Sequence, residues 1–190
     1  MNKSVDWLSD SHITIVGLGL MGGSLAMALQ GKCAGITAVE IDSHTRRMGL
    51  ERGLVEHATA SLVDGLKYAD VLILATPVRT ILETLMVLNE LSEDPDKTVL
   101  VLDLGSTKTE VTSAMTLLPN NLTGIGGHPM CGKETGGLEH ADASLYQNAV
   151  FVLTPTNNPD NNMLDLARQI ISAVGSIPIE MDAERHDKLT

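Results

Sequence analysis

Aromatic side chains are nearly missing from this sequence: one Phe, one Trp and two Tyr in 190 residues. A core must therefore be assembled from Leu, Ile, Val, Ala and Met, within a hydrophobic fraction of 43%. The nine methionines read as adaptable filler of that core rather than as a partner-binding surface. Cysteine is equally scarce. Cys33 and Cys131 form neither a CxxC pair nor a disulfide framework, so a reducing, cytoplasmic setting is expected. No apolar run reaches the ~18 residues of a membrane helix, and the opening MNKSVDWLSD lacks a signal-peptide core, which predicts a soluble chain without a membrane role. Basic residues number 13 against 24 acidic ones, a formal charge of −11, and they are not clustered as a phosphate backbone requires. Nucleic acid is excluded as the expected partner. The acidic residues are scattered, as on a solvated face, so a small anionic substrate would need a local positive site.

The length suits one domain. After a polar lead-in over residues 1–11, short β-branched runs alternate with helical patterns. Strands are predicted at Ile13–Val16, Ile36–Ile41, Val71–Ala75, Thr98–Leu102, Leu122–Gly126, Ala149–Leu153 and Ile177–Ile179. Helices are predicted at Met21–Leu29, Ser43–Arg52, Thr80–Leu91, Thr107–Leu118 and Met163–Val174. The continuous apolar run at Val71–Ala75 is that of a strand covered on both faces. This alternation predicts an α/β fold, a doubly wound and mostly parallel sheet with helices on both faces. Residues 154–162, rich in Asn and Pro, read as a surface loop inside the domain.

Gly17-Leu18-Gly19-Leu20-Met21-Gly22 matches G-x-G-x-x-G. Its position, directly after a strand and opening a helix, makes the match informative. Gly17 allows the tight turn, Gly19 lets backbone approach a pyrophosphate, and Gly22 lets helix and strand touch. The helix start at Leu20 and Met21 offers N–H groups and partial positive charge to phosphates. Glu40, 18 residues beyond Gly22, stands where an acid accepts ribose hydroxyls and repels the extra phosphate of NADP. NAD is the expected cofactor. Arg46 and Arg47, a turn further on, leave NADP as the lesser alternative. Asp42 either shares the ribose role or caps the next helix.

A second segment, Gly126-Gly127-His128-Pro129-Met130-Cys131-Gly132-Lys133-Glu134, follows a strand at the expected carboxyl edge of the sheet. His128 is the best general-base candidate, since an imidazole titrates near neutral pH. The alternative is a loop histidine bonded only for structure. A nucleophilic Cys131–His128 pair or a metal site is disfavoured, because two ligands fall short of the three or four zinc needs.

Taken in order, the glycine turn, Ala75-Thr76-Pro77-Val78, Asp103-Leu104-Gly105-Ser106-Thr107-Lys108, Gly127-His128-Pro129-Met130 and Leu153-Thr154-Pro155 resemble the prephenate dehydrogenase family over nearly the whole chain. The resemblance implies a Rossmann-type NAD-binding domain over 1–181. It also implies NAD-dependent oxidative decarboxylation of prephenate or arogenate in tyrosine biosynthesis. His128 corresponds to the catalytic histidine that takes the ring-hydroxyl proton, and Ser106 to the serine between it and the nicotinamide. Thr76 and Pro77 correspond to a loop along the cofactor. Glu134 corresponds to an acid at the substrate entrance, beside Lys133, which would attract the anionic substrate. Residues 182–190 resemble the start of a linker helix into a helical domain that makes the homodimer and adds substrate contacts. That domain is absent, so His186 and Asp187 are read as structural and the chain by itself is expected to bind cofactor without turnover. β-Hydroxyacid dehydrogenases share the G-L-G-L-M-G turn, but residues 165–190 hold only Gly175 where they place a lysine in a glycine-rich helix. A non-catalytic NAD-sensing module is the remaining alternative, which the presence of Ser106 and His128 disfavours.

Overall fold

The computed structural model describes residues 5–91, 97–156 and 160–190. Residues 1–4 of the expected lead-in and 157–159 of the expected surface loop lie outside the described residues. One sheet organises the rest, built from β1 (His12–Val16), β2 (Gly35–Val39), β3 (His57–Thr59), β4 (Val71–Leu74), β5 (Val99–Asp103), β6 (Leu122–Pro129), β7 (Val150–Pro155) and β8 (Ile177–Glu180). The helices are α1 (Leu20–Leu29), α2 (Ser43–Glu51), α3 (Leu62–Leu66), α4 (Val78–Asn89), α5 (Thr109–Met115), α6 (Asn161–Ala173) and α7 (Ala183–Leu189).

The strands lie in the order β3-β2-β1-β4-β5-β6-β7-β8. Order reverses between β1 and β4, leaving a crevice where the chain crosses from one half of the sheet to the other. All neighbours pair in parallel except β6 and β7, which are antiparallel. This is a Rossmann-type doubly wound sheet with one reversed step. Side-chain alternation builds its two cores. Ile13, Ile15, Val71, Ile73, Leu100 and Leu102 point to the face covered by α1 and α6. Leu72, Leu74, Val99 and Val101 point to the opposite face, under Leu85 of α4 and Val111 of α5. Strands buried on both sides need no polar alternation, which is why the apolar runs in the sequence were continuous.

The structure departs from the sequence expectations at several places. The short β3 and α3 were not anticipated. The polar lead-in is in part a packed segment: Leu8 and Ser11 are buried, and Gln169 of α6 accepts the Trp7 and Leu8 N–H groups at 2.9 and 3.1 Å. Thr154 and Pro155 belong to β7 rather than to a loop, and Asn161 and Asn162 open α6 behind the cap Asp160. Finally, α7 is docked on the sheet domain, with the Asp187 carboxylate accepting the N–H groups of Lys108 and Thr109 at 2.7 and 2.8 Å. That cap sets the start of α5 at Thr109, two residues later than expected.

Candidate active site

The carboxyl ends of β1, β2, β4, β5 and β6 share one edge, and most of the expected site residues stand along it. Gly17 follows β1 with φ +90°, a conformation that a side chain would strain, and a Cβ there would lie 2.7 Å from Thr76 Cγ2. Gly19 caps α1, and a Cβ on it would meet nothing within 4 Å. The backbone is therefore open at Gly19, as a phosphate approach requires. Leu20 and Met21 form the first turn of α1, and both are half-buried. A Cβ on Gly22 would overlap the Gly17 carbonyl oxygen. Gly22→Ala is thus expected to cost about 1–3 kcal/mol of stability by overpacking and to weaken NAD⁺ binding by distorting the turn. Thermal melting and calorimetric titration check it, and an unchanged affinity would contradict this geometry.

Glu40 is held across the turn. Leu18 N–H donates to its Oε2 and Asp42 N–H to its Oε1, each at 2.9 Å. A carboxylate offers about four acceptor sites, so two remain for ribose hydroxyls. Asp42 is committed elsewhere: it caps α2 by accepting Thr45 N–H at 2.7 Å. Arg46 is folded back, donating to the carbonyls of Glu40 and Ile41 at 2.6 and 2.9 Å, whereas Arg47 is exposed. Beside Glu40 lies a cavity of about 490 Å³ lined by Leu18, Gly19, His44, Met48 and Leu138, a volume suited to a small organic ligand. Thr76 Oγ1, next to the turn, is buried without a hydrogen-bond partner among the described residues, and Pro77 is the exposed N-cap residue that precedes α4. An open glycine at a helix start, a carboxylate with spare acceptor sites and an unmatched hydroxyl together fit a dinucleotide.

At the next strands the site changes character. Asp103, fully buried at the end of β5, accepts Gly105 N–H at 2.8 Å and Gly127 N–H at 3.0 Å. It is ion-paired with Lys108, also fully buried, whose Nζ donates to the Gly127 carbonyl at 2.7 Å. Burial pushes the Asp103 carboxyl up and the Lys108 amine down, against their mutual attraction. The pair clamps the two segments that carry Ser106 and His128. Ser106 itself is exposed, and among the described residues no hydrogen bond joins it to His128.

His128 is half-buried on β6, opposite Val152 of β7. Its Nδ1 lies 2.9 Å from Nε2 of His186, a residue 1% exposed on α7. Burial first, then the neighbouring His186 and Lys108, lower the His128 pKa from 6.5 to about 4. Its ring is therefore neutral, with a lone pair to offer, throughout neutral pH. NMR titration of the ring is expected to find the proton arriving near pH 4 rather than 6.5. The folded pKa is the depressed one, so the unfolded chain binds more protons between these values. His128 therefore removes stability as pH falls from 6.5 towards 4 and has no effect above that window.

Lys133 and Glu134 are exposed on the following loop. Lys133 Nζ is engaged by Asp142 at 3.1 Å and the His140 carbonyl at 3.4 Å, so the positive charge expected for substrate attraction is already matched. Cys131 is half-buried, and burial raises its thiol pKa, the opposite of what a nucleophile needs. Among the described residues no cluster of three or more His, Cys, Asp or Glu side chains could hold a metal ion, and no helix is long and apolar enough to cross a membrane.

The family model for the prephenate dehydrogenase nucleotide-binding domain matches residues 25–179. The chain belongs to the prephenate dehydrogenase family. It is 33% identical to the prephenate dehydrogenase of Bacillus subtilis over 182 residues, covering 94% of this chain and 48% of that protein. The chain thus spans about half the length of that relative. Among solved structures it resembles Aquifex aeolicus prephenate dehydrogenase in complex with hydroxyphenyl propionate and NAD⁺, with a TM-score of 0.84 and 31% identity over 96% of this chain and 64% of that one. Synechocystis arogenate dehydrogenase is similar to the same degree, with a TM-score of 0.84 and 33% identity over 94% and 62% of the two chains.

Within this family frame, the residues that sequence reading undervalued are Asp103, Lys108, His186 and Asp187. The segment from Asp103 to Lys108 carries the first two, with no role evident from the sequence alone. The last two are expected to be structural; the structure sets His186 in direct contact with His128.

Proposed function

We propose that this chain is the cofactor-binding part of an enzyme that oxidises and decarboxylates prephenate or arogenate with NAD⁺, on the way to tyrosine. The observation that carries the reading is the placement of a neutral, half-buried His128 on the same sheet edge as the glycine turn. Gly17, Gly19, Gly22, Leu20 and Met21 would hold the pyrophosphate, Glu40 the adenine ribose, and Thr76, Pro77 and Ser106 the nicotinamide side. Bound NAD⁺ supplies a hydride acceptor. The protein's own part is to orient the ring and to remove one proton. His128 Nε2 takes the proton of the ring hydroxyl as hydride leaves the carbon that bears it. The ring carboxylate departs as CO₂, and its bonding electrons complete the aromatic ring. Aromatisation makes the step downhill, so orientation and a base suffice.

NAD rather than NADP is favoured because Glu40 faces the turn while Arg46 is turned to backbone carbonyls. Replacing Glu40 with Ala removes the acceptor of a charge-assisted bond worth about 1.5–3 kcal/mol net, and NAD⁺ affinity is expected to fall about 10- to 100-fold. Calorimetry with NAD⁺ and NADP⁺ tests this, and an unchanged NAD⁺ affinity, or an equal loss for both cofactors, would contradict the assignment. The substrate side is tested by binding of hydroxyphenyl propionate, the ligand named for the Aquifex complex. Binding that tightens when NAD⁺ is present supports the reading; binding indifferent to NAD⁺ opposes it.

A further inference from the structure

His128 is one end of a chain of three side chains. Its Nδ1 lies 2.9 Å from His186 Nε2, and His186 Nδ1 lies 2.7 Å from Asp187 Oδ1. The two rings meet edge to face, with centroids 5.1 Å apart and planes at 69°. Asp187 is anchored in turn by the N–H groups of Lys108 and Thr109, at the start of α5. Partial burial works against its ionisation, but the bonds from Thr109, His186 and Lys108 outweigh it and hold the carboxyl far below the usual range.

The proton positions follow from this network. An ionised carboxylate can only accept, so His186 Nδ1 carries a proton. With its one ring proton on Nδ1, His186 presents a lone pair on Nε2 and accepts there as well. His128 Nδ1 must therefore be the proton-bearing nitrogen of its ring. The lone pair of His128 is left on Nε2, the nitrogen that the chain does not occupy. Which nitrogen of a histidine is protonated is set by the bond its other nitrogen makes.

We propose that Asp187 and His186 are positioning residues that lock His128 in its Nδ1–H tautomer and so keep Nε2 free to take a substrate proton. This deepens the function proposed above and rests on His128 being its base. It also gives Asp187 a double task. One carboxylate fixes the tautomer of the base and caps the helix that follows Ser106, so the two segments flanking the substrate share an anchor.

The test reads the tautomer directly, by long-range nitrogen–proton NMR on this chain with isotopically labelled histidine, at neutral pH and without cofactor or substrate. In the wild type, His128 is expected to show a proton-bearing Nδ1 and a lone-pair Nε2. His186→Leu removes the acceptor, and His128 is expected to shift to the Nε2–H form that an imidazole side chain prefers when left alone. His186→Gln keeps a carbonyl acceptor and is expected to retain Nδ1–H. In a form of the enzyme that turns over, His186→Leu is expected to lower kcat about 10²- to 10⁴-fold, the range for losing a general base or its correct tautomer, with KM for NAD⁺ little changed and Gln recovering much of the loss. An Nε2–H tautomer in the wild type overturns the proposal, as does an unmoved tautomer in a folded His186→Leu chain. If the Leu variant does not fold, the wild-type and Gln spectra still decide. Because the tautomer is read without substrate, a failure to turn over prephenate counts against the proposed function and leaves this inference standing.

Discussion

His128→Asn is expected to lower kcat by about 10²- to 10⁴-fold, the usual contribution of a positioned general base, while NAD⁺ affinity stays close to wild type. Asparagine retains polarity and approximate size but cannot take a proton. The glycine turn and Glu40 follow β1 and β2, on the other half of the sheet from β6, so the cofactor side has no reason to move. Stopped-flow NADH formation with prephenate, beside an NAD⁺ titration of the same sample, separates the two effects. Near-normal turnover would remove His128 from the mechanism. A parallel loss of NAD⁺ binding would mean that its role is structural.

The second large effect is expected at a residue that need not touch substrate. Lys108→Met leaves the Asp103 carboxylate fully buried with two backbone N–H donors and no counter-charge. Removing one partner of a buried ion pair costs about 3–5 kcal/mol, a large share of the roughly 5–15 kcal/mol that holds a typical domain together. The loss is expected to exceed the effect of removing both charges. Asp103→Asn/Lys108→Met should recover part of it, since no unpaired charge remains. Urea unfolding of the single and double variants measures the difference. A single variant within about 1 kcal/mol of wild type would contradict the account, because it falls in the range of an exposed pair. Even where the single variant folds, the Gly127 carbonyl loses its Lys108 donor, and His128 follows Gly127 directly.

The same two regions show what a sequence discloses and what it withholds. The glycine turn was legible because its chemistry is local: a strand, a φ near +90° at Gly17 and a helix start occupy neighbouring positions. Glu40 was legible for the same reason, since the spacing from Gly22 to the end of β2 is set by one helix and one strand. The alternation that divides Ile13 and Ile15 from Thr14 and Val16 was not needed to recognise the fold, because both faces are covered. In contrast, β3 has only three residues, none of them buried, and α3 has only five with Gly65 among them, so neither produced a periodic signal. The contact of His186 with His128 was not legible because it spans 58 residues. From the local pattern His186 was one polar residue in a short, well-capped helix. Asp103 and Lys108 were visible as charges, but no local rule tells which charged residues will be enclosed together. What the sequence withholds is the set of contacts between residues distant along the chain.

The measurement closest to the central claim is NADH formation at saturating NAD⁺, followed with prephenate and with arogenate, using this chain and the longest available form of the protein. The account predicts one NADH and one CO₂ per substrate consumed with at least one of the two acids, and no reduction of NAD⁺ without them. If this chain alone does not turn over, it is still predicted to bind NAD⁺, with catalysis appearing in the longer form. No NADH from either acid in the longer form, NAD⁺ binding by neither form, or reduction of NAD⁺ without release of CO₂ would contradict it.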